Sequence, residues 1–419
     1  TSDTATVVSF ESSIDLKGSN IDDLSGNATV SNLDYSDTKL NHSIAKFTLT
    51  AEKQNEQKQL ELYSSFVDAK MQGNYNLKDL PHVVENTFNY FLDSTHKNVE
   101  TPPQKFKFNA LFKEIQPITE ILLPELSIST GTSIQFNFSN PDSTIDLTVS
   151  GAELAYKENK VENYDLTIGS LKDSASLKIL TQEVALGEIP TFKGIDINST
   201  LVNNINKNEI IIESWGKKLK ALDFIIENKV KSTQQLYMHI ANSTFRVNDS
   251  LWTVDNDNRI QLDSGRFDIH HLLLGNNAQV LQVTGRASEL PEDTLDIDLN
   301  NINLEFFSSL LPENTVALKG VANGNSSFIS LYKNPSFITD LDLDSLIVNN
   351  VKIGEARLKS TWDAELNALI VDGNLGDSES DILKIYGTVF PLKQENSLEL
   401  SMGFNQLPCE LVRPYLIDC

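Results

Sequence analysis

Apolar and polar residues alternate with a period of two along most of the chain. Ile145-Asp146-Leu147-Thr148-Val149, Tyr164-Asp165-Leu166-Thr167-Ile168, Leu295-Asp296-Ile297-Asp298-Leu299 and Leu398-Glu399-Leu400-Ser401-Met402 alternate strictly. Ile195-Asp196-Ile197 and Leu341-Asp342-Leu343-Asp344 are shorter versions. Successive side chains of a strand point to opposite faces, so each run predicts a strand with one apolar and one polar side. Strands buried on both sides would read as continuous apolar runs instead. Turn formers punctuate the runs at Leu24-Ser25-Gly26-Asn27, Leu186-Gly187, Gly275-Asn276-Asn277 and Asp372-Gly373-Asn374, with further breaks at Asn140-Pro141 and Asn334-Pro335. The spacing of these marks, often about 8–15 residues, fits an all-β architecture. Strands do not alternate with long helices, which argues against a parallel α/β sheet.

Three stretches switch to helical spacing. Leu80, Val84, Phe88, Phe91 and Leu92 form one stripe, with Pro81 near its start where a missing N–H costs little. Ile115, Ile118, Ile121 and Leu122 form a second, between Pro117 and Pro124, and Phe306, Phe307, Leu310 and Leu311 a third, closed by Pro312. All three are expected to be short amphipathic helices packed on a sheet edge, where one could also cap an apolar mouth. They mark a weak repeat. One copy runs from Phe106 and Phe108 through the second helix to Gly131 and Asn140-Pro141. Another runs from Ile297 and Leu299 through the third to Gly320 and Asn334-Pro335, and a last begins at Leu398 and is cut off at Cys419. Thr1-Ser2-Asp3-Thr4 is polar and is not followed by a positive n-region with an apolar h-region, so no secretory leader is expected within this sequence, and both ends read as cuts from a longer chain.

Charge narrows the function. The 419 residues hold 34 Lys+Arg and 58 Asp+Glu, a formal net charge of −24, which argues against nucleic acid and against docking on an anionic leaflet through a basic face. Hydrophobic residues make up 40%, enough for a core. With 2 Cys, a disulfide scaffold or a multi-cysteine metal site is excluded, although Cys409 and Cys419 could pair in an oxidising compartment. No P-loop, dinucleotide-binding glycine pattern, His-Glu-x-x-His or nucleophile elbow occurs. His270-His271 is the one His pair, and neighbours on a strand face opposite ways. Asp296 with Asp298, and Asp342 with Asp344, share strand faces and read as solvated surface rather than as calcium ligands. No cofactor and no enzymatic activity are expected.

Several phrases in fixed order resemble the TamB family of translocation and assembly proteins, within the AsmA-like superfamily, in its Bacteroidetes-type form. They are Asp15-Leu16-Lys17-Gly18 with Leu33-Asp34-Tyr35, Ser64-Ser65-Phe66-Val67-Asp68-Ala69 with Gly73-Asn74-Tyr75, and Phe245-Arg246-Val247-Asn248 with Leu251-Trp252. Later come Val283-Thr284-Gly285-Arg286-Ala287, Gly320-Val321-Ala322-Asn323-Gly324 and Val351-Lys352-Ile353-Gly354. The resemblance covers nearly the whole chain and corresponds to the family's central region. It implies an elongated, curled, antiparallel-rich sheet, a β-taco-like groove built from weak repeats. It also implies a periplasmic, cell-envelope location as part of a parent protein anchored in the inner membrane. Phospholipid acyl chains would then be the cargo, moved between the membranes in support of outer-membrane biogenesis. A BamA-family outer-membrane protein would be the partner, through parts of the parent chain outside this sequence.

Under this reading the groove is lined by Ile145, Leu147, Val149, Leu166, Ile168, Ile297, Leu299, Leu341, Leu343, Leu398, Leu400 and Met402. Three groove segments are expected: 1–100, ending in a short helix, 101–290, with a helix near 112–123, and 291–419, ending in the truncated repeat. Alternation alone leaves a closed sandwich open as well. Two other functions remain open: a scaffold for outer-membrane β-barrel assembly by strand-edge pairing, and a repeat β-sandwich surface protein.

Overall fold

A computed structural model describes residues 6–405 apart from 93–100, 172–173, 217–218, 307–316, 333–335, 378–379, 391–397 and the single positions 188, 204, 233, 248, 277, 349, 364 and 367. The chain is all-β and divides into two compact units, Thr1–Gly216 and Lys217–Cys419. The expected boundaries near 100 and 290 fall inside these units.

In the first unit the strands are β1 (Val7–Lys17), β2 (Ser25–Ser36), β3 (Asn41–Gln54), β4 (Gln57–Ser64), β5 (Val67–Asn74), β6 (Lys105–Phe112) and β7 (Leu126–Ile128). They continue with β8 (Ser133–Ser139), β9 (Thr144–Tyr156), β10 (Asn159–Leu171), β11 (Ser174–Leu186), β12 (Phe192–Val202) and β13 (Ile205–Trp215). Each pairs antiparallel with the next, except that β7 and β8 share one side of β9 and β6 pairs with β8. The break between β7 and β8 is patched by a side chain. Ser129 Oγ accepts the Ala152 and Glu153 N–H groups at 3.1 and 2.9 Å. The hydroxyl thus takes the place of a strand partner for two successive N–H groups of β9.

Among the described residues of this unit two α-helices occur where the periodicity predicts them, α1 (Leu80–Leu92) and α2 (Gln116–Leu122). Their placement corrects one expectation. α1 packs on the sheet's apolar face, not its edge. Its Val83 joins Met71, Tyr75, Phe106, Phe138 and Ile145 in a buried cluster, with Leu80, Val84 and Phe88 packed against it. The stretch leading into α1 is fixed by polar contacts: Lys58 donates to the Tyr75 carbonyl at 2.7 Å, and Asp22 accepts the Leu77 N–H at 2.7 Å. The third helix lies almost wholly outside the described residues, as do Cys409 and Cys419.

The second unit contains β14 (Leu219–Ser232), β15 (Gln235–Val247), β16 (Ser250–Val254), β17 (Arg259–Asp263), β18 (Arg266–Gly275), β19 (Val280–Ala287) and β20 (Thr294–Asn303). It ends with β21 (Leu318–Ile329), β22 (Ser336–Val348), β23 (Val351–Asp363), β24 (Ala368–Asp377), β25 (Ser380–Val389) and β26 (Leu398–Phe404). These too form an antiparallel meander, in which β16 and β17 lie end to end between β15 and β18. Here the patch is the buried Asn258 amide, which accepts the Ile240 N–H at 2.9 Å and donates to the Ile240 carbonyl at 2.7 Å. One side chain thus replaces both halves of a peptide pair.

Three bulges tune the apolar side of this unit. Two residues oppose one where His270-His271 faces Thr284, where Asn300-Asn301 faces Asn323 and where Asp344-Ser345 faces Glu355. His271, Asn301 and Ser345 take the left-handed backbone that the extra residue requires. Apolar spacing widens from two to three at each bulge, from Ile269 to Leu272, Leu299 to Ile302 and Leu343 to Leu346. The partner strands keep their phase, so both members of each pair stay on one side. The His pair is therefore a bulge, not two residues of a regular strand. Below the last two bulges lies the cluster of Leu304, Ala322, Leu346, Ile353 and Ala356.

Two glycines expected in turns sit inside strands instead. Gly26, in β2, has φ +125, and a Cβ there would lie 1.9 Å from the Asp15 carbonyl oxygen. Gly373, in β24, pairs with Leu358 and Ile385. At Gly26 the partner strand, not a chain reversal, explains the glycine, whereas a Cβ at Gly373 would meet only ordinary contacts.

Candidate functional site

The register turns the alternating runs into rows that cross the strands. In the first unit Leu147 pairs with Ile168 and Ile168 with Leu177. The next row is Val149, Leu166, Ile179, Ile197 and Ile210, each paired with the one before across β9 to β13. All five are aliphatic, and all five are only half-buried. A strand step of ~4.8 Å makes this row roughly 19 Å long.

In the second unit Leu281, Leu299, Gly324, Leu341, Leu358, Gly373, Ile385 and Met402 form a longer row from β19 to β26. Leu299 and Leu341 thus face each other across Gly324. Leu343 pairs with Ala322, and Ile297 with Ser326. Met402 is 55% exposed at the far end of the row.

Of the twelve residues read from sequence, Leu147, Val149, Leu166, Ile168, Ile297, Leu299, Leu341, Leu343 and Leu400 are half-buried on such rows. Ile145 is 1% exposed beneath α1 and belongs to a closed core. Leu398 pairs with Val389 through its backbone, and its side chain lies outside the description. Ile179, Ile197 and Ile210 join the row although they were not on the sequence-derived set. Ile195-Asp196-Ile197 already showed the alternation that could have found one of them.

Beside Leu341 and Leu358 the charges are kept to the other side. Asp340 sits 3.0 Å from Lys359 and 3.3 Å from Arg357, one position out of phase with Leu341 and Leu358. The Lys359 hydrogen bond, ahead of that from Arg357, holds the Asp340 carboxyl below the usual carboxylate range. Among the described residues no group of three or more His, Cys, Asp or Glu could hold a metal ion. No described helix is long and apolar enough to cross a membrane.

No family model, curated protein or solved structure matches the chain. The site is therefore read from its own chemistry.

Proposed function

We propose that this chain is a non-enzymatic segment of a TamB-like, AsmA-like envelope protein whose apolar rows receive phospholipid acyl chains on their way between inner and outer membranes. The observation that carries this reading is the half-buried aliphatic row Val149-Leu166-Ile179-Ile197-Ile210. Its length of roughly 19 Å is about that of one acyl chain, since the ~30 Å hydrocarbon core of a bilayer holds two end to end. Each methylene moved from water onto such a surface gains about 0.8 kcal/mol. The periplasmic location and a BamA-family partner for the parent protein follow from the family resemblance and belong to the same proposal. A photoreactive residue at Ile179 or Ile197, in chain purified from membranes, should crosslink to phospholipid, with mass spectrometry identifying the adduct. Lipid-free chain and no adduct at either position would sink the reading.

One observation favours strand-edge pairing as a second role. Among the described residues β1 is paired on one side, by β2, and Val7, Val8, Phe10 and Ile14 along it are 51–66% exposed. An open edge of this length can template a client strand. Crosslinks from β1 to such a strand, with lipid transfer intact in variants that block the apolar row, would favour it.

A further inference from the structure

The first unit has a concave surface on the side of its sheet opposite the α1-covered core. A cavity of about 800 Å³ opens there. One row of its lining is Gln59, Gln72, Lys107 and Asn137, paired in turn across β4, β5, β6 and β8. Each lies one position out of phase with Leu60, Met71, Phe108 and Phe136, which pack into the core beneath α1. A parallel row supplies Asn74, Lys105 and Ser139. A smaller cavity of about 310 Å³ continues over the same strands, lined by Lys70, Asn109 and Gln135 among others.

This lining is rich in amides and nearly balanced in charge. Lys105 is neutralised by Asp142 at 2.9 Å, and Glu52 stands among the lining lysines. Asn and Gln side chains donate and accept at once, which complements hydroxyl groups better than it complements an anion. The rows repeat at the strand spacing of ~4.8 Å, so a chain lying across the strands meets a new polar side chain at every step. In the wall stands Gln104, 1% exposed. Its Oε1 accepts the Asn76 N–H at 3.2 Å, while its Nε2 has no hydrogen-bond partner.

We propose that this polar trough binds an extended polyhydroxylated chain, a glycan, laid across β4 to β8. The proposal is independent of the lipid reading, because it uses the other side of the sheet. The test titrates chitohexaose, cellohexaose and maltohexaose, each up to about millimolar concentration, into the 419-residue chain, with saturation-transfer NMR as the readout. Transfer to at least one hexasaccharide is expected. In a Gln59→Ala, Gln72→Ala, Asn137→Ala triple variant its affinity should fall about tenfold or more. The circular dichroism of that variant and lipid crosslinking at Ile197 should stay unchanged. Should the triple variant not fold, the single variants Gln72→Ala and Asn137→Ala, both at exposed side chains, carry the comparison. No transfer to any of the three sugars, or undiminished transfer in the variants, overturns the proposal. So does binding of an extended glutamine-rich peptide with no sugar binding.

Discussion

The apolar side of the first unit's sheet has two fates. Over β4, β5, β6 and β8 it lies under α1, and Phe106, Phe138 and Met71 are between 2 and 6% exposed. Over β9 to β13 the same alternation yields a row of which no member is buried. Strand composition hardly distinguishes the two, since both are runs of aliphatic or aromatic residues at every second position. What distinguishes them is one thirteen-residue helix. An apolar strand face is thus only half an instruction, and the covering element decides whether it becomes core or contact surface.

The sharpest way to break this comparison is to truncate a residue on each side. Phe106→Ala should cost about 3–5 kcal/mol, because it empties a packed site under α1. Ile197→Ala should cost about 1 kcal/mol or less, because its side chain is already partly in water. Urea unfolding of both variants reads the difference, and equal losses would mean that the β9–β13 row is covered after all. At the border of the two regions stands β9, spliced to its neighbours through Ser129. Ser129→Ala should lose about 0.5–1.5 kcal/mol in the same measurement, from the two hydrogen bonds it removes.

A smaller effect should appear in alkali. Burial, and then the nearby Asp22 charge, push the Tyr75 phenol up to about 12. Its neutral form is the one the fold holds, so its contribution is complete below about pH 10 and is lost as the pH rises through about 12. Hydrogen exchange in the backbone of α1 should therefore accelerate across that window, while exchange in β12 should show no matching step. The least effect is expected from Asp142. Hydrogen bonds from Lys105 and Ser139 hold its carboxyl below the ordinary range. Its contribution is present above about pH 4 and fades as the pH falls through the lowered value. Asp142→Asn should lower the neutral-pH melting temperature slightly, by the same small amount that it removes from the acid dependence of melting.

Much of this was legible in the residues. The runs around Ile145, Tyr164, Leu295 and Leu398 predict strands, and the Leu80 and Ile115 stripes predict helices that the structure contains. The elongated groove expected from the resemblance is a further step, since alternation names a face without naming its cover. Gly26 misreads as a turn because a glycine needed by a neighbouring strand looks the same in one dimension as a glycine needed by a reversal. The bulge at His270-His271 was legible in principle, because Ile269 and Leu272 stand three apart where the period is two. Least visible was the amide trough. Gln59, Gln72 and Asn137 are remote in sequence, and only the register of four strands sets them side by side.

In β9 to β13 apolar spacing widens from two to three at matching heights: Gly151 to Leu154, Val161 to Tyr164, Thr181 to Val184, Phe192 to Ile195 and Ile212 to Trp215. The pairing stays in register on both sides of this line, with Asn163 and Gly194 in left-handed backbone along it. Losing Asn163 alone would slide half of β10 by one residue and invert its side chains against two unshifted neighbours, β9 and β11. Five strands have therefore to gain or lose that position together. Single-residue insertions and deletions should be purged from this stretch across descendants of the gene, while the hairpin tips at Lys157 and Asn203 remain free to vary in length.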